Sequence, residues 1–274
     1  MDRIASIEEI VANVAAVRDK GKGFVTNFYL NEQKHKLWIE KGVLFSEWVG
    51  NTYLVIKQND GFWNVFYTST SIEELSVSLK VFNENHHDKT LMLDIVGRKD
   101  SCEQLASCLA SIGFGDYCRL VRMWTKTPEQ SELATNNVSF ASKDDAATVH
   151  ALLHQFFDEQ TEQLPYLEEL EDLAATNQVL VLKQDGKLAG FVVFELSKVS
   201  LYLRYWFVHP DFRNQGVGSL LLNRYFYEGR NTKRAQHWVI CTNENAIKRY
   251  RHYGYTEEKM FDYVLTNKDI HYEG

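Results

Sequence analysis

Cysteine is scarce in this 274-residue chain: Cys102, Cys108, Cys118 and Cys241 form no CxxC pair and no grouping with histidine at zinc spacing. They read as reduced packing thiols, so neither a disulfide framework nor a metal is expected. Long apolar runs are missing as well. No stretch approaches the ~20 residues needed to cross a bilayer, and the opening MDRIASIEEI has no h-region of the kind a signal peptide carries. The expectation is a soluble, cytoplasmic protein with no membrane partner. Nor is basic charge in excess. The formal net charge is −7, which argues against nucleic acid as a partner, because a phosphate backbone needs a basic face. Core material, by contrast, is ample: 45% of residues are apolar and 13% aromatic, which excludes general disorder. At about 100 to 200 residues per domain, the length favours two domains.

A seam falls at Thr127-Pro128-Glu129-Gln130-Ser131-Glu132 and Thr135-Asn136-Asn137, a polar stretch with a proline and no apolar period. It separates a domain at 1–130 from one at 137–274. Both sides carry similar charge, 15 basic and 18 acidic residues over 1–136 against 15 and 19 beyond. They also echo each other in sequence. Leu54-Val-Ile-Lys-Gln-Asn-Asp-Gly61 matches Leu180-Val-Leu-Lys-Gln-Asp-Gly186, each reading as a strand entering a turn. Residues 91–96 with Gly113-Phe114 then match 237–241 with Gly254-Tyr255. The reading is a duplicated unit. Between the echoes the halves differ in length, with 37 positions from Gln58 to Ile95 and 56 from Gln184 to Ile240. The extra residues of the second half include its glycine-bearing loop.

In the second half, strands are expected at 138–141, 179–183, 188–196, 201–208, 237–241 and 259–265, and helices at 144–160, 165–175, 219–227 and 245–253. The chemistry concentrates in the loop His209-Pro-Asp-Phe-Arg-Asn-Gln-Gly-Val-Gly218. Gly216 and Gly218 permit a tight turn that gathers backbone N–H groups at the start of a helix, where the dipole is positive. Such a nest holds phosphate, and Arg213 adds a charge-assisted contact. No Gly-Lys-Ser/Thr follows, so it is not a Walker loop.

Val208-His-Pro-Asp-Phe-Arg-Asn-Gln-Gly-Val-Gly-Ser-Leu-Leu221 resembles the acyl-CoA signature of the GNAT superfamily of N-acetyltransferases, and Asn243-Glu-Asn-Ala-Ile-Lys-Arg-Tyr-Arg-His-Tyr-Gly-Tyr255 resembles that family's second marker. The resemblance covers roughly 137–266. It implies a mixed α/β (α+β) fold with a mostly antiparallel twisted sheet flanked by helices, here duplicated in tandem with a degenerate first copy. It implies acetyl-CoA as cosubstrate, with its pyrophosphate on the N–H groups of Gln215, Gly216, Val217, Gly218 and Ser219 beside Arg213. The arm would pair with the strand end at Phe207 and Val208 and hydrogen-bond Asn243, and a backbone N–H near Val208 would face the oxyanion. Tyr250 would protonate the departing thiolate. The reaction implied is direct attack by a primary amine on the thioester.

An alkylamine must first lose a proton, and the strand at 201–208 holds no carboxylate. Glu195, His209, His154 and Asp158 stand as candidate bases, with Glu195 also reading as a solvated strand residue. A non-catalytic acyl-CoA-binding regulatory module is the alternative that this gap suggests. Charge adds a clue about the acceptor: residues 144–172 carry nine acidic and no basic side chains, while 204–251 carry nine basic and three acidic. That polarity suits a cationic small-molecule or peptide amine beside an anionic cosubstrate. His150, His154 and Asp158 can share one helix edge, read as polar rather than metal-binding. The first half, whose glycine pairs are Gly21-Lys-Gly23 and Gly113-Phe-Gly115, is expected to lack both the glycine loop and a strand leading into it. One CoA site per chain follows. The first half would cover the acceptor cleft or form an interface, with a homodimer as the candidate assembly. Its Trp38, Phe45, Trp48, Trp63, Phe66 and Tyr67 read as core.

Overall fold

A computed structural model describes residues 1–21, 23–127 and 137–272. The expected linker falls largely on 128–136, outside the described residues. The chain forms two units, one made of Met1–Val121, Ile240–Thr242 and Lys259–Gly274, the other of Arg122–Val239 and Asn243–Glu258. Residues 259–272, assigned by sequence to the second domain, therefore belong to the first unit. The reason is pairing and packing: Phe261 to Thr266 run antiparallel to residues 97 to 92, and Tyr263 and Leu265 join the first core. Among the described residues no helix is long and apolar enough to cross a membrane.

The first half of the chain supplies β1 (Asp2–Arg3), α1 (Ile7–Lys20), β2 (Val25–Thr26), α2 (Glu32–Glu40), β3 (Leu44–Val49), β4 (Thr52–Gln58), β5 (Trp63–Ser69), α3 (Ile72–Asn85), β6 (Leu91–Gly97), α4 (Lys99–Ala110) and β7 (Gly115–Lys126). The second half supplies β8 (Val138–Phe140), α5 (Lys143–Phe156), α6 (Glu159–Glu162), α7 (Leu167–Ala175), β9 (Val179–Gln184), β10 (Lys187–Leu196), β11 (Ser200–Val208), a 3-10 turn (Pro210–Phe212), α8 (Val217–Glu228), β12 (Arg234–Ile240), α9 (Glu244–His252) and β13 (Thr256–Thr266). Strands run β1-β3-β4-β5-β6-β13 in the first unit and β12-β11-β10-β9-β8 in the second. The fold is mixed α/β and mostly antiparallel, with β5/β6 and β11/β12 paired in parallel. In each unit a helix crosses between those two parallel strands, α3 in one and α8 in the other. That common order is the structural form of the sequence echo.

Local chemistry sets the boundaries. Ser142, not Asp144, opens α5: its hydroxyl accepts from the Asp145 N–H while the Asp145 carboxylate accepts from the Ser142 N–H, a reciprocal cap. That helix ends at Phe156, four residues early, because Asp158 starts the separate short helix α6. Asp185 and Gly186 both take positive φ, 51° and 75°, in the two-residue turn between β9 and β10, as a type I′ hairpin requires. The second core gathers Val149, Leu153, Leu170, Val181, Phe191, Tyr205 and Phe207 between the sheet and α5 and α7. In the first unit Trp38 and Tyr67 are buried as expected. Trp48 is 39% exposed instead, with the Lys20 ammonium 4.6 Å from its ring centre.

Candidate active site

The helix that follows β11 starts at Val217, two residues before the position expected from sequence. Gly216 is its cap residue, with φ 79°, a conformation that strains any side chain, and a Cβ built there meets no atom within 4 Å. Gly218 serves differently. It is helical, and a Cβ on it would lie 2.9 Å from Cζ2 of Trp206, so its bareness lets α8 lie close on β11. The first helical hydrogen bond runs from the Leu220 N–H to the Gly216 carbonyl at 3.1 Å. The N–H groups of Val217, Gly218 and Ser219 therefore have no acceptor within the helix, no side chain caps them, and the first turn carries no acidic residue. Arg213 and Gln215 are exposed beside them. Open space at Gly216 and uncapped donors are what a diphosphate needs, and the residues present fit one.

Past this helix end the sheet parts. β11 and β12 pair over Ser200↔Arg234, Leu201↔Ala235 and Tyr202↔Gln236, and residues 203–208 have no partner on β12 among the described residues. On its other side β11 bulges: Val193 faces Tyr205 and Phe194 faces Leu203, so Arg204 is the extra residue. Tyr250, from α9, spans the gap. Its ring centre lies 5.5 Å from that of Trp206 on β11 and 3.7 Å from that of His237 on β12. Burial is the main cause that raises the Tyr250 phenol above its ordinary pKa, followed by the charges of Tyr255 and Glu162. The hydroxyl therefore stays protonated at neutral pH, in the state a proton donor requires. His237 is buried and held neutral, its pKa lowered by desolvation to about 3.

The remaining sequence candidates are now placed. Phe207 is buried in the second core, and Val208 sits half-buried at the end of β11. Asn243 caps α9, its Oδ1 accepting from the Ala246 N–H at 3.0 Å. Ser219 Oγ accepts from the Tyr253 hydroxyl at 2.8 Å, tying α9 to the start of α8. Each of the four candidate bases is engaged. Glu195 is not merely solvated but lies 3.4 Å from Arg204 Nη1. His209 Nδ1 accepts from the Asp211 N–H at 3.3 Å. His154 faces Glu159, and its ring centre lies 4.4 Å from that of His150. Asp158 accepts from both the N–H and the hydroxyl of Thr161.

One carboxylate that sequence reasoning did not single out lies here. Glu162 ends α6, and Tyr205 Oη donates to its carbonyl at 3.0 Å, which anchors the helix end to β11. The residue is half-buried. Desolvation first, then the Asp158 charge, raises its pKa to about 7, against the opposing pull of Arg204. In the sequence it is one of nine acidic residues. What distinguishes it from Glu159 is the break of α6 at Gln163, a non-glycine residue with φ 47°, which no local pattern announces.

A parallel pair that parts and an uncapped helix start are the two features of the site, and comparison with known proteins gives the family they resemble. Residues 146–255 match the model of the Acetyltransferase (GNAT) family. The chain resembles an uncharacterized N-acetyltransferase of Methanocaldococcus jannaschii at 29% identity, over 29% of this chain and 39% of that protein. It also resembles one of Archaeoglobus fulgidus at 37%, over 26% of this chain and 55% of that protein. The chain thus spans well under two thirds of either relative. Among solved structures, a tandem GNAT protein from the clavulanic acid biosynthesis pathway aligns over 97% of this chain and 96% of its own, with TM-score 0.59 and 15% identity. A GNAT-family acetyltransferase of Colwellia psychrerythraea aligns over 97% of each, with TM-score 0.56 and 13% identity. These likenesses establish the fold. The segment 146–255 thus matches the GNAT family, and the chain as a whole shares the fold of the solved GNAT proteins.

Proposed function

We propose that this protein transfers an acetyl group from acetyl-CoA to the primary amine of a cationic small molecule or peptide. The observation that carries the reading is the uncapped, acid-free start of α8 at Gly216, set beside the gap that Tyr250 spans. When bound, acetyl-CoA supplies an acyl carbon activated as a thioester. The N–H groups of Val217, Gly218 and Ser219, with Arg213 at their side, would hold its diphosphate through orphan donors and the helix dipole. Arg249, 5.6 Å from the centre of the Trp206 ring, adds positive charge on the same side. The unpaired edge of β11 at Phe207 and Val208 offers main-chain groups to an extended ligand. Tyr250 donates its Oη proton to the departing sulfur, and the raised pKa keeps that proton in place until the sulfur needs it.

The acceptor class rests on charge. Asp158, Glu162, Glu168 and Glu169 lie on α6, α7 and their approaches, whereas Asp145 is neutralised by Lys183 at 2.7 Å and Glu171 by Lys143 at 3.2 Å. With nine acidic and no basic side chains over residues 144–172, this face favours an ammonium. Residues 203–208 include no carboxylate, and this favours the second reading, an acyl-CoA-binding regulatory module. Calorimetry with acetyl-CoA, followed by thiol release against an amine panel, tests the two. Binding with amine-dependent thiol release supports the enzyme, binding without it supports the module, and absence of binding removes both.

A further inference from the structure

The acetyl-transfer reading leaves the ammonium proton without a destination, and the strand that would supply a carboxylate has none. We propose that Glu162, at the end of α6 rather than on β11, is the general base that deprotonates the acceptor amine. This inference rests on the acetyl-transfer reading.

Three observations converge on it. The first is position: the Tyr205 hydroxyl, rising from β11 at the bulge, fixes the Glu162 backbone at 3.0 Å, so the residue sits against the stretch of strand that parts from β12. The second is surroundings. The charged and titratable groups around its carboxylate are Asp158 at the start of α6, Arg204, Tyr202 and Tyr205 on β11, and Tyr250 on α9, with Glu169 of α7 acting on Arg204 and Tyr205. At the Tyr250 phenol, whose pKa is raised chiefly by burial and then by the Tyr255 charge, Glu162 adds to the shift. The third is elimination: Glu195, His209, His154 and Asp158 are each engaged with a neighbour.

The surroundings also set its strength. Burial raises the Glu162 carboxyl to about 7, and in its ionised form such a carboxylate is a stronger proton acceptor than an ordinary glutamate. The step balances as follows. Glu162 Oε takes one proton from the ammonium, and the freed lone pair attacks the thioester carbonyl carbon. The C–N bond forms and the C–S bond breaks, the sulfur leaving with its electron pair and the Tyr250 proton. The second nitrogen proton restores Tyr250, and Glu162 releases its proton to solvent.

The test has two arms on the full chain. In the first, protein labelled with 13C at glutamate carboxyls is titrated by NMR without cosubstrate or amine, and Glu162→Gln assigns the resonance. A midpoint near 7 is expected, and one below about 5, in the ordinary carboxyl range, overturns the proposal. In the second, Glu162→Gln and Glu162→Asp are assayed with acetyl-CoA and 1,5-diaminopentane as probe amine. Acetyl-CoA affinity by calorimetry should be unchanged in both. Glu162→Gln should lower kcat/KM about 100-fold, within the usual range for a lost general base, and abolish the acidic limb of the pH profile. Glu162→Asp should restore part of the rate. A Gln variant within threefold of the parent, or one with the acidic limb intact, overturns the assignment. Absence of transfer to the probe with acetyl-CoA still bound counts against the enzymatic reading, whereas the titration reads Glu162 without any turnover.

Discussion

The same crossover, a strand, a helix and a parallel strand, is built twice in this chain and finished in opposite ways. In the first unit β5 and β6 pair over Trp63↔Leu91 and Asn64↔Met92, and beyond that Asn27 bridges them. Its Nδ2 donates to the Val65 carbonyl at 3.4 Å and the Asp94 carbonyl at 3.0 Å, and its Oδ1 accepts from the Tyr67 N–H at 2.6 Å. The main-chain groups that an extended ligand would use are already satisfied. The helix start is closed as well: Ser71 caps the Glu74 N–H of α3, and Glu73 and Glu74 stand in its first turn, where a diphosphate would meet negative charge. The Asp262 carboxyl of β13 is held above its ordinary pKa by burial first and then by the charge of Asp94. In the second unit β11 and β12 part without such a bridge among the described residues, and α8 starts uncapped at a glycine. On the proposed reading, binding capacity follows from what is left unsatisfied, not from the fold.

The sharpest way to break this contrast is at Gly216. Gly216→Trp should abolish acetyl-CoA binding in calorimetry, a loss of roughly 1,000-fold or more, because three or more charge-assisted contacts at about 1.5–3 kcal/mol each depend on that turn. A Cβ there meets open space, but the positive φ strains the turn by about 1–2 kcal/mol, so circular dichroism should show a native fold before the loss is read as lost contacts. Unchanged affinity would mean that the cradle is not where the diphosphate sits.

Asn27→Ala attacks the other side of the comparison. It strands a buried carbonyl, a part-buried carbonyl and a buried N–H, so denaturant unfolding should show a loss of about 3 kcal/mol. Acetyl-CoA stoichiometry should stay at one per chain, because the α3 start remains capped and acidic. A second binding event would show that Asn27 alone silences the first copy.

Tyr250→Phe should lower kcat by about 100-fold with acetyl-CoA affinity kept, as expected of a lost proton donor. Equal loss of both would assign Tyr250 to packing between Trp206 and His237.

Much of this contrast is legible in the chain itself. The α8 loop and the Asn243 to Tyr255 segment are local patterns, and local patterns survive in sequence. The strand leading into the first-half helix was not expected, yet β5 is present and runs straight into α3 at Ser71; only the glycine loop is missing. The exchange that gives residues 259–272 to the first unit is invisible because Tyr263 and Leu265 would suit either sheet. Asn27 and Glu162 escape for a common reason. Their roles come from partners far away in sequence, Asp94 for one and Tyr205 for the other, and no spacing along a single segment encodes either.

The smallest expected effect concerns the wall of the second gap. His237 stacks on Tyr250, and neither of its ring nitrogens has a hydrogen-bond partner among the described residues. Its folded pKa is about 3, below the ordinary 6.5, so at intermediate pH the unfolded chain binds a proton that the folded one refuses. The stability it contributes is full above pH 6.5 and is lost as pH falls toward 3. His237→Phe keeps an aromatic wall and removes the proton site. At pH 7.5 its stability should lie within about 1 kcal/mol of the parent, because exchanging an unpartnered polar ring for an apolar one costs little. At pH 4.5 it should exceed the parent by roughly 2 kcal/mol in urea unfolding. His35 of the first unit, lowered by burial to about 4, titrates in both proteins and so drops out of the difference. Parallel pH profiles for the two proteins would mean that His237 already meets water or a proton in the native state, and the gap it lines would then be wetter than its packing implies.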